Sequence, residues 1–407
     1  MRIHVPLPII ICLTVMLITG SAVAGSNEDN FSINAKAAAL FEVASEQFLL
    51  EQNADEKIAP ASFTKVMTLF LVEDFLRDGV ISLADEVPVS KKAWRTAGSK
   101  MFIEVDTRVR LEDLLKGIAV VSGNDACVAV AEHLVGKEEA FVEQMNKKAI
   151  ALGLTNTKFQ TPHGLPADDG DQYTTARDMT VLAHHYISEY PHVLDIHSLR
   201  EFTYNNITQP NRNRLLWRDA GVDGLKTGHI ETAGYHLVAT AEQEGRRLIA
   251  VVMGAESWDD RENEALKLLN FGFRSFVIKD IIQKSATVKA VPVKGGKYNT
   301  IELVAEDGIT VSVLRNDAES LTVTENIPTP IVAPVRKGDL LGNIVVAAGE
   351  KKLHQINLVA KNDVPKGWQA YWQYGAVLLA ALALIYLLYR IGTRRKSSSN
   401  LEFTDQR

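Results

Sequence analysis

The chain has 407 residues, of which 46% are hydrophobic, and its formal net charge is −6. This acidic balance provides no basic field for a nucleic acid, and the length accommodates one large domain followed by a small one. The sequence contains two cysteines, Cys12 and Cys127. Because Cys12 falls in an N-terminal segment that we predict to be removed, an intrachain disulfide is excluded.

Residues 1–24 are typical of a secretory signal peptide. Arg2 is followed by the apolar run Pro8–Ile18, and the segment ends in Ala22-Val23-Ala24, an A-x-A cleavage pattern. We therefore predict that the protein is exported, and we leave these residues out of the fold.

Residues 25–285 alternate between helical and strand patterns and predict an α+β domain, with helices packed on a mainly antiparallel sheet. In chain order the predicted elements are a hairpin over 37–50, a helix from Ser62 to about Arg77, helices over Leu111–Val121 and Asp125–Leu134, strands over Gly234–Glu242 and Arg247–Gly254, and a helix over Asp260–Phe276. We expect the last helix to return and pack on the two strands before it.

Residues 286–362 predict a small all-β domain. The segments Thr300–Ala305, Thr310–Leu314 and Leu321–Glu325 are rich in β-forming residues, and turn pairs such as Gly295-Gly296 separate them. No Ser/His/Asp constellation occurs here, so we predict a spacer without chemistry. The polar segment Lys361–Gly367 follows and is predicted to be extended.

The stretch from Gly367 to Tyr389 carries no charge and, at about 1.5 Å per residue, is long enough for the roughly 30 Å core of a bilayer. Arg390 and further basic residues follow at once, which favours a cytoplasmic tail. We predict a transmembrane helix over 367–391 and a basic tail over 392–407, with the catalytic bulk on the external face of a bacterial inner membrane. The alternative is a helix lying on the surface; Ala376–Leu388 has no polar face and favours the span.

The first candidate for chemistry is Ser62-Phe63-Thr64-Lys65. Ser62 and Lys65 are three residues apart at the start of a predicted helix and therefore share one face. A serine hydroxyl is a poor nucleophile until a neighbour takes its proton, and a desolvated lysine can be that base. A solvated helix start with an ordinary surface lysine is the alternative interpretation of this element taken alone.

Two further elements follow in order. Ser122-Gly123-Asn124 lies on the predicted turn between two helices, where Ser122 can relay a proton and Asn124 can hold a substrate amide. Both residues are also suited to helix capping. Lys226-Thr227-Gly228 is predicted to precede a strand, so that a cation and a hydroxyl face a substrate carboxylate and the glycine leaves room for the substrate backbone.

The ordered set resembles the S-x-x-K, S-x-N and K-T-G signature of penicillin-binding proteins and class A β-lactamases. With its flanking strings, the chain resembles the D-alanyl-D-alanine carboxypeptidases, low-molecular-mass penicillin-binding proteins that trim peptidoglycan. Those strings are Pro60-Ala-Ser-Phe-Thr-Lys-Val-Met-Thr, Val121-Ser-Gly-Asn-Asp-Ala, Thr161-Pro-His-Gly-Leu and Asp223-Gly-Leu-Lys-Thr-Gly-His229. The resemblance covers nearly the whole mature chain, although many relatives end in an amphipathic surface helix rather than a span.

The resemblance implies a penicillin-binding-protein-like fold and a serine peptidase that needs no cofactor or metal. Its substrate would be a stem peptide ending in D-Ala-D-Ala, and β-lactams would acylate it. The implied catalytic residues are Ser62, Lys65, Ser122 and Lys226. The implied substrate-binding residues are Asn124, Thr227, Gly228, His229 and Arg261, with Thr227 and Arg261 on the terminal carboxylate. The backbone N–H groups of Ser62 and His229 would form the oxyanion hole.

His163 and Cys127 each have a structural and a chemical interpretation. His163 in Pro162-His163-Gly164-Leu165 has no second ligand at metal-binding spacing, so a loop-fixing role is predicted over a metal or base role. Cys127, three residues after Asn124, is predicted to be a buried packing residue, with a reactive thiol near the pocket as the alternative.

Three other functions remain open from the sequence. A β-lactamase needs a base that activates the deacylating water, and no glutamate between Asn124 and Lys226 has a recognisable context for that role; they are Glu132, Glu138, Glu139, Glu143, Glu189 and Glu201. We therefore expect slow release of a penicilloyl group. A peptidoglycan D,D-endopeptidase shares the same motifs. A non-catalytic penicillin-binding scaffold has no need of all four catalytic residues.

Overall fold

The computed structural model describes residues 31–167, 172–218, 220–368 and 371–399. The predicted signal peptide and the end of the predicted tail, residues 400–407, lie outside the described residues. In chain order the first unit consists of β1 (Ala37–Glu42), β2 (Gln47–Gln52), α1 (Thr64–Arg77), β3 (Glu86–Pro88), α2 (Lys91–Arg95), β4 (Arg108–Arg110), α3 (Leu111–Val120), α4 (Asn124–Val135), α5 (Glu138–Ala151), α6 (Ala176–Glu189), α7 (Leu194–His197), β5 (Glu201–Tyr204), β6 (Ile207–Pro210), β7 (Val222–Ile230), β8 (Gly234–Gln243), β9 (Arg246–Ala255) and α8 (Trp258–Ser275).

The main sheet of this unit has the order β2-β1-β9-β8-β7, and every neighbouring pair is antiparallel. Its three inner strands, β1, β9 and β8, bury apolar residues on both faces. In β1, Ala37, Ala39 and Phe41 join a core on one side, whereas Ala38 and Leu40 join a core on the other. Helices α1, α4 and α6 complete the first core and α8 completes the second, so the sheet lies between two helical layers.

Helix α1 runs through the first core. All residues from Thr64 to Glu73 are buried, which fits a helix whose apolar side chains surround it instead of forming one stripe. One polar member of this buried stretch, Lys65, therefore lies in the interior near the N-terminal end of the helix.

The second unit is all-β, as predicted. Its elements are β10 (Phe276–Ile282), β11 (Thr287–Lys294), β12 (Thr300–Ala305), β13 (Ile309–Leu314), β14 (Leu321–Asn326), β15 (Ile331–Val332), β16 (Leu340–Ala348) and β17 (Lys351–Ala360). A six-stranded sheet has the order β14-β16-β17-β12-β11-β15, and β10 pairs with β13. The module therefore begins at Phe276, within the range that the sequence assigned to the first domain. Phe276 directly follows α8 with no turn residue between them, which hides the boundary in the sequence.

The segment Lys361–Gly367, which the sequence predicts to be extended and polar, is tied into the β module. Val364 is buried and exchanges two backbone hydrogen bonds with Val335. Gly367 donates its backbone N–H to the Gly295 carbonyl at 2.9 Å. The chain therefore leaves the module only after Gly367.

The last element, α9, covers Trp372–Ser399. Within it, the 18 residues Tyr374–Ile391 are long and apolar enough to cross a membrane, and none of them is buried against the protein. The helix begins five residues later than predicted (Gly367 against Trp372), because Gly367 belongs to the β module.

Candidate active site

The three sequence elements meet at one open edge of the main sheet. Strand β7 is the outermost strand, and Lys226, Thr227 and Gly228 lie inside it; the prediction that they precede a strand is wrong, because pairing with β8 begins at Val222. Ser62 lies in a short 3₁₀ turn that leads into α1. This turn packs on β7, since a β-carbon on Gly228 would lie 3.4 Å from the Ala61 β-carbon.

Lys65 is fully buried, and its side-chain nitrogen has three polar contacts. Nζ lies 2.9 Å from Ser62 Oγ, 2.7 Å from Asn124 Oδ1 and 2.8 Å from the His163 carbonyl oxygen. These contacts use every position around the nitrogen apart from its bond to the side chain. When the amine is neutral, its two N–H bonds can donate to Asn124 and His163, and its lone pair then faces the Ser62 hydroxyl.

The two lysines of the site both lie in the interior. Burial lowers the pKa of Lys65 to about 8. Roughly a tenth of its population is therefore neutral at pH 7. Burial, reinforced by the charge of Lys65, also holds the pKa of Lys226 well below the usual lysine range. Nζ of Lys226 donates to the Thr227 carbonyl at 3.1 Å. Desolvation thus favours the neutral form of both amines, and a neutral amine can accept a proton.

Ser122 is held in a conformation that few non-glycine residues adopt. Its φ is +64°, its side chain is buried, and its Oγ has no hydrogen-bond partner among the described residues. Two residues later, Asn124 begins α4 and bonds on both sides: Oδ1 accepts from Lys65, and Nδ2 donates to the Ala97 carbonyl at 2.7 Å. A strained residue with an unpaired hydroxyl is typical of a functional position.

Asp125 is a residue of this site that the sequence reasoning missed. Its buried carboxylate accepts backbone N–H groups from Met101 and Phe102 at 2.9 Å each, and from Ile103 at 3.3 Å. It thereby fixes the segment before β4 against the start of α4. The only signal in the sequence was its position directly after Ser122-Gly123-Asn124.

Arg261 lies at the start of α8 and lines the cleft. Its guanidinium makes only long contacts, at 3.5 Å to the Gly228 carbonyl, 3.3 Å to the Arg212 carbonyl and 3.9 Å to the Glu262 carboxylate, and its Nε has no partner among the described residues. Burial lowers its pKa to about 10, so the group is charged at neutral pH. The rings of Tyr235 and Trp258 lie beside it at 5.8 and 5.3 Å. A buried cation whose carboxylate neighbour, Glu262, is no nearer than 3.9 Å is suited to a further anionic ligand.

A single cleft brings most of the predicted residues together. Its lining consists of Ser62, Ser99, Ser122, Arg212, Thr227, Gly228, His229, Trp258 and Arg261. Lys65, Asn124 and Lys226 lie behind this surface and contact it from the interior. Ser99, Arg212 and Trp258 were not predicted, since their positions carry no motif. None of the six glutamates weighed as deacylation bases belongs to the lining.

His163 and Cys127 lie in the interior close to Lys65. Nδ1 of His163 accepts the Leu165 backbone N–H at 3.2 Å, and its carbonyl holds Lys65. Burial and the charge of Lys65 lower the pKa of His163 to about 3, so the imidazole stays neutral beside Glu138. Burial raises the pKa of Cys127 to about 12, which keeps the thiol protonated and inert. Over the described ranges, no group of three or more His, Cys, Asp or Glu side chains could hold a metal ion.

Two family models match the chain. Residues 23–257 match the family described as D-alanyl-D-alanine carboxypeptidase, and residues 276–366 match the C-terminal domain of penicillin-binding protein 5. Among curated proteins, the D-alanyl-D-alanine carboxypeptidase DacC of Escherichia coli is 42% identical over 344 residues, which cover 83% of this chain and 86% of that protein.

Solved structures give the same result. Penicillin-binding protein 5 from Haemophilus influenzae superposes with a TM-score of 0.78 at 38% identity, covering 85% of this chain and all of that one. Penicillin-binding protein D2 from Listeria monocytogenes, solved in its ampicillin-bound form, superposes with a TM-score of 0.56 at 31% identity and covers 60% of this chain and 99% of that one. The first similarity spans both units, whereas the second covers a smaller part of the chain.

Proposed function

The chain belongs to the D-alanyl-D-alanine carboxypeptidase family, and we propose that Ser62 is its nucleophile, with Lys65, Ser122 and Lys226 as proton carriers. The protein is a serine-type D-Ala-D-Ala carboxypeptidase that acts on peptidoglycan stem peptides. The observation that carries the residue assignment is the 2.9 Å contact between Ser62 Oγ and a buried Lys65. The carboxypeptidase activity is tested by measuring D-alanine release from a defined pentapeptide. Cleavage of a crosslinked peptide is measured in parallel, because an endopeptidase would prefer that substrate.

In acylation, Ser62 Oγ attacks the carbonyl carbon of the penultimate D-alanine while its proton passes to the lone pair of neutral Lys65. Asn124 and the His163 carbonyl keep that lone pair aimed at the hydroxyl by accepting the two N–H bonds. The backbone N–H groups of Ser62 and His229 are the proposed donors to the oxyanion. The packing of the Ser62 turn on Gly228 supports this pairing, because it brings the two backbones together.

Collapse of the tetrahedral intermediate breaks the bond to the terminal D-alanine, whose nitrogen then needs a proton. We assign its delivery to Ser122, a cleft residue whose buried Oγ has no hydrogen-bond partner among the described residues, and to the buried amine of Lys226; together they relay the proton that Lys65 took from Ser62. Water then attacks the ester carbonyl and gives a proton to Lys65, which is neutral again; as the ester bond breaks, Lys65 returns this proton to Ser62 Oγ and the hydroxyl is regenerated. Because no glutamate lines the cleft, a penicilloyl ester at the same position is expected to leave slowly.

The terminal carboxylate is assigned to Thr227 and Arg261, which both line the cleft. Thr227→Val should lower kcat/KM for acid-terminated peptides by on the order of tenfold to a hundredfold, since a hydrogen bond to a charged group is lost. The matched substrate is the same peptide with a C-terminal amide, which should lose much less. Equal losses on both substrates would remove Thr227 from carboxylate recognition.

Gly164 supports the Ser62 turn, and its replacement should impair turnover. Its φ is +86°, and an added β-carbon would lie 1.7 Å from the Ala61 carbonyl oxygen, next to the nucleophile. Gly164→Ala should therefore shift Ser62 and reduce D-alanine release by roughly a hundredfold. Gly153→Ala is the matched control, because its φ is +73° and nothing lies within 4 Å.

Both substitutions strain the backbone by about 1 kcal/mol or more, so both should lower the melting temperature. Only Gly164→Ala should lower the turnover of the protein that remains folded. A Gly164→Ala variant with normal turnover would show that this contact does not position Ser62.

We propose that the chain consists of a signal peptide over 1–24, a catalytic domain ending near Ser275, a β module that includes β10, a membrane span in α9, and a basic cytoplasmic tail. The separate hydrophobic cores of the catalytic domain and the β module support the division between these two units. The exposed apolar surface of Tyr374–Ile391 supports the span. The proposed location is the bacterial inner membrane, with the catalytic domain on the external face.

The proposed orientation predicts a cytoplasmic C-terminus. Four basic residues, Arg390, Arg394, Arg395 and Lys396, follow the apolar stretch. Moving them across an energised membrane is opposed by roughly 2 kcal/mol per charge for each 100 mV. A reporter that is active only in the cytoplasm should therefore work when it is fused after Arg407. Activity of an export-dependent reporter alone at that position would replace the span with a surface-lying helix.

A further inference from the structure

The end of the β module from which the chain departs carries a cluster of exposed cations. We call this cluster the basic collar; it consists of Lys294, Lys297, Arg336, Lys337, Lys361 and Lys366. The whole chain is acidic, with a formal net charge of −6, so a concentration of cations at one end is a local feature of the fold.

The collar comes from three segments, residues 294–297, 336–337 and 361–366, and hydrogen bonds of their backbone N–H groups hold them together. Lys297 donates its backbone N–H to the Pro365 carbonyl at 2.8 Å, and Gly296 forms a β-bridge with Lys366. The backbone N–H of Lys337 donates to the Asp363 carboxylate at 2.7 Å. The collar is therefore a fixed surface of the module, although the sequence scatters its residues over about seventy positions (294 to 366).

The carboxylates in this region neutralise the collar only in part. Lys361 pairs with Glu302, while Asp363 and Asp339 accept backbone N–H groups of Lys337 and Arg336. Six cations against these three carboxylates leave a net charge of +3. Within the part of the chain that the structure describes, no ion pair involves the side chains of Lys294, Lys297, Arg336, Lys337 or Lys366.

The collar is also close to the start of α9. From Gly367, which is bonded to Gly295, the chain reaches Trp372 in five residues, and at about 3.6 Å per residue they span at most roughly 18 Å. Trp368, Tyr371 and Trp372 are exposed on this path, and Tyr298 is 54% exposed beside Lys297. Tryptophan and tyrosine next to an apolar helix favour the interface between bilayer and water.

We propose that the basic collar docks on the anionic headgroups of the membrane that α9 spans. The β module is then in direct contact with the bilayer and is not merely tethered to it by the chain that leads to α9. The inference rests on the proposed span. Cations within a Debye length of about 10 Å of an anionic surface are attracted to it, and the path from Gly367 to Trp372, at most roughly 18 Å, is short enough for the collar to reach that distance. The partner is a lipid surface, because the collar adjoins the one helix suited to a membrane within the described residues.

Docking sets the height of the active site above the bilayer. Strand β17 leads from Lys351 to Ala360 and, at about 3.3 Å per residue, measures roughly 30 Å. Lys351 and Lys352, at its far end, line a cleft together with Gln47 and Phe48 of the catalytic unit. The catalytic unit is therefore held at the end of the module opposite to the collar.

The test uses the full chain reconstituted in vesicles, with a fluorophore on Asn299→Cys in a Cys12→Ser background. Asn299 is exposed next to Tyr298, and Cys127 is buried and should not be labelled. A quencher attached to lipid headgroups reports whether the collar touches the bilayer. We expect severalfold stronger quenching in phosphatidylcholine mixed with phosphatidylglycerol than in phosphatidylcholine alone, and a loss of this difference at high salt.

The charge-reversal pair Lys294→Glu/Lys297→Glu should abolish the lipid-dependent quenching. The matched control is Lys351→Glu/Lys352→Glu, which changes the net charge equally at the far end of β17 and should leave the quenching intact. Equal quenching in both lipids, or equal loss in both variants, would overturn the docking. Carbonate extraction of the same vesicles tests the span separately. A chain that resists extraction but whose quenching does not depend on the lipid would refute the docking alone. A chain that is extracted would refute the span, and the quenching would still decide the docking.

Discussion

Ser62→Ala is expected to reduce D-alanine release from a defined pentapeptide by at least about 10⁴-fold, to the background of the assay. The serine oxygen is the atom that forms the acyl-enzyme. Its removal therefore eliminates the covalent reaction itself, whereas loss of a proton carrier would only slow that reaction. The substitution should leave the fold intact, because Ser62 is only partly buried and the following helix begins at Thr64. Its melting temperature should therefore stay close to that of the wild type.

Ser99→Ala is the matched control, since Ser99 lines the same cleft but has no lysine contact among the described residues. Its turnover should fall far less than that of Ser62→Ala. Turnover by Ser62→Ala that is comparable with the wild type would mean that the nucleophile has been misassigned.

Lys65→Met has the second largest expected effect. Methionine fills a similar volume in the buried site but cannot accept the Ser62 proton, so kcat/KM should fall by roughly 10²- to 10⁴-fold. Lys116→Met is the control, since Lys116 lies in α3 and pairs with Glu112 at the surface. A loss of activity that is explained by unfolding would be visible as a large drop in the melting temperature, and the pH dependence provides a second readout.

The pH profile follows from the sign of the shift at Lys65. Burial lowers its pKa to about 8, and the neutral amine is the reactive form. For the wild type, kcat/KM should therefore rise about tenfold per pH unit below 8 and level off above it. The residual activity of Lys65→Met should lack this limb. An identical acid limb in the variant would assign the titration to another group.

The sequence was sufficient for the features that short-range pattern determines. The spacing of Ser62 and Lys65 predicted a shared helix face, and the turn and strand patterns predicted the elements around Ser122 and Lys226. The α+β architecture, the all-β module and the apolar C-terminal helix are confirmed, because each depends on periodicity or composition within one segment.

Contacts between distant segments could not be predicted. Asp125 accepts hydrogen bonds from the backbone of Met101–Ile103, and Gly164 packs against the Ala61 carbonyl. No local sequence pattern relates the residues in either contact. The same limit applies to the polar segment Lys361–Gly367, whose composition predicted an extended segment but not that its backbone is bonded to the β module. Local composition indicates which secondary structure a segment favours, but not which distant segment its backbone pairs with in the folded protein.

Acylation of Ser62 is tested most directly by intact-mass spectrometry of the chain after incubation with penicillin. The slow release expected from a cleft without a glutamate base makes the adduct long-lived enough to observe. We expect one penicilloyl adduct in the wild type, located on the peptide that contains Ser62, and none in Ser62→Ala. An adduct of the same mass that persists in Ser62→Ala would contradict the proposed mechanism.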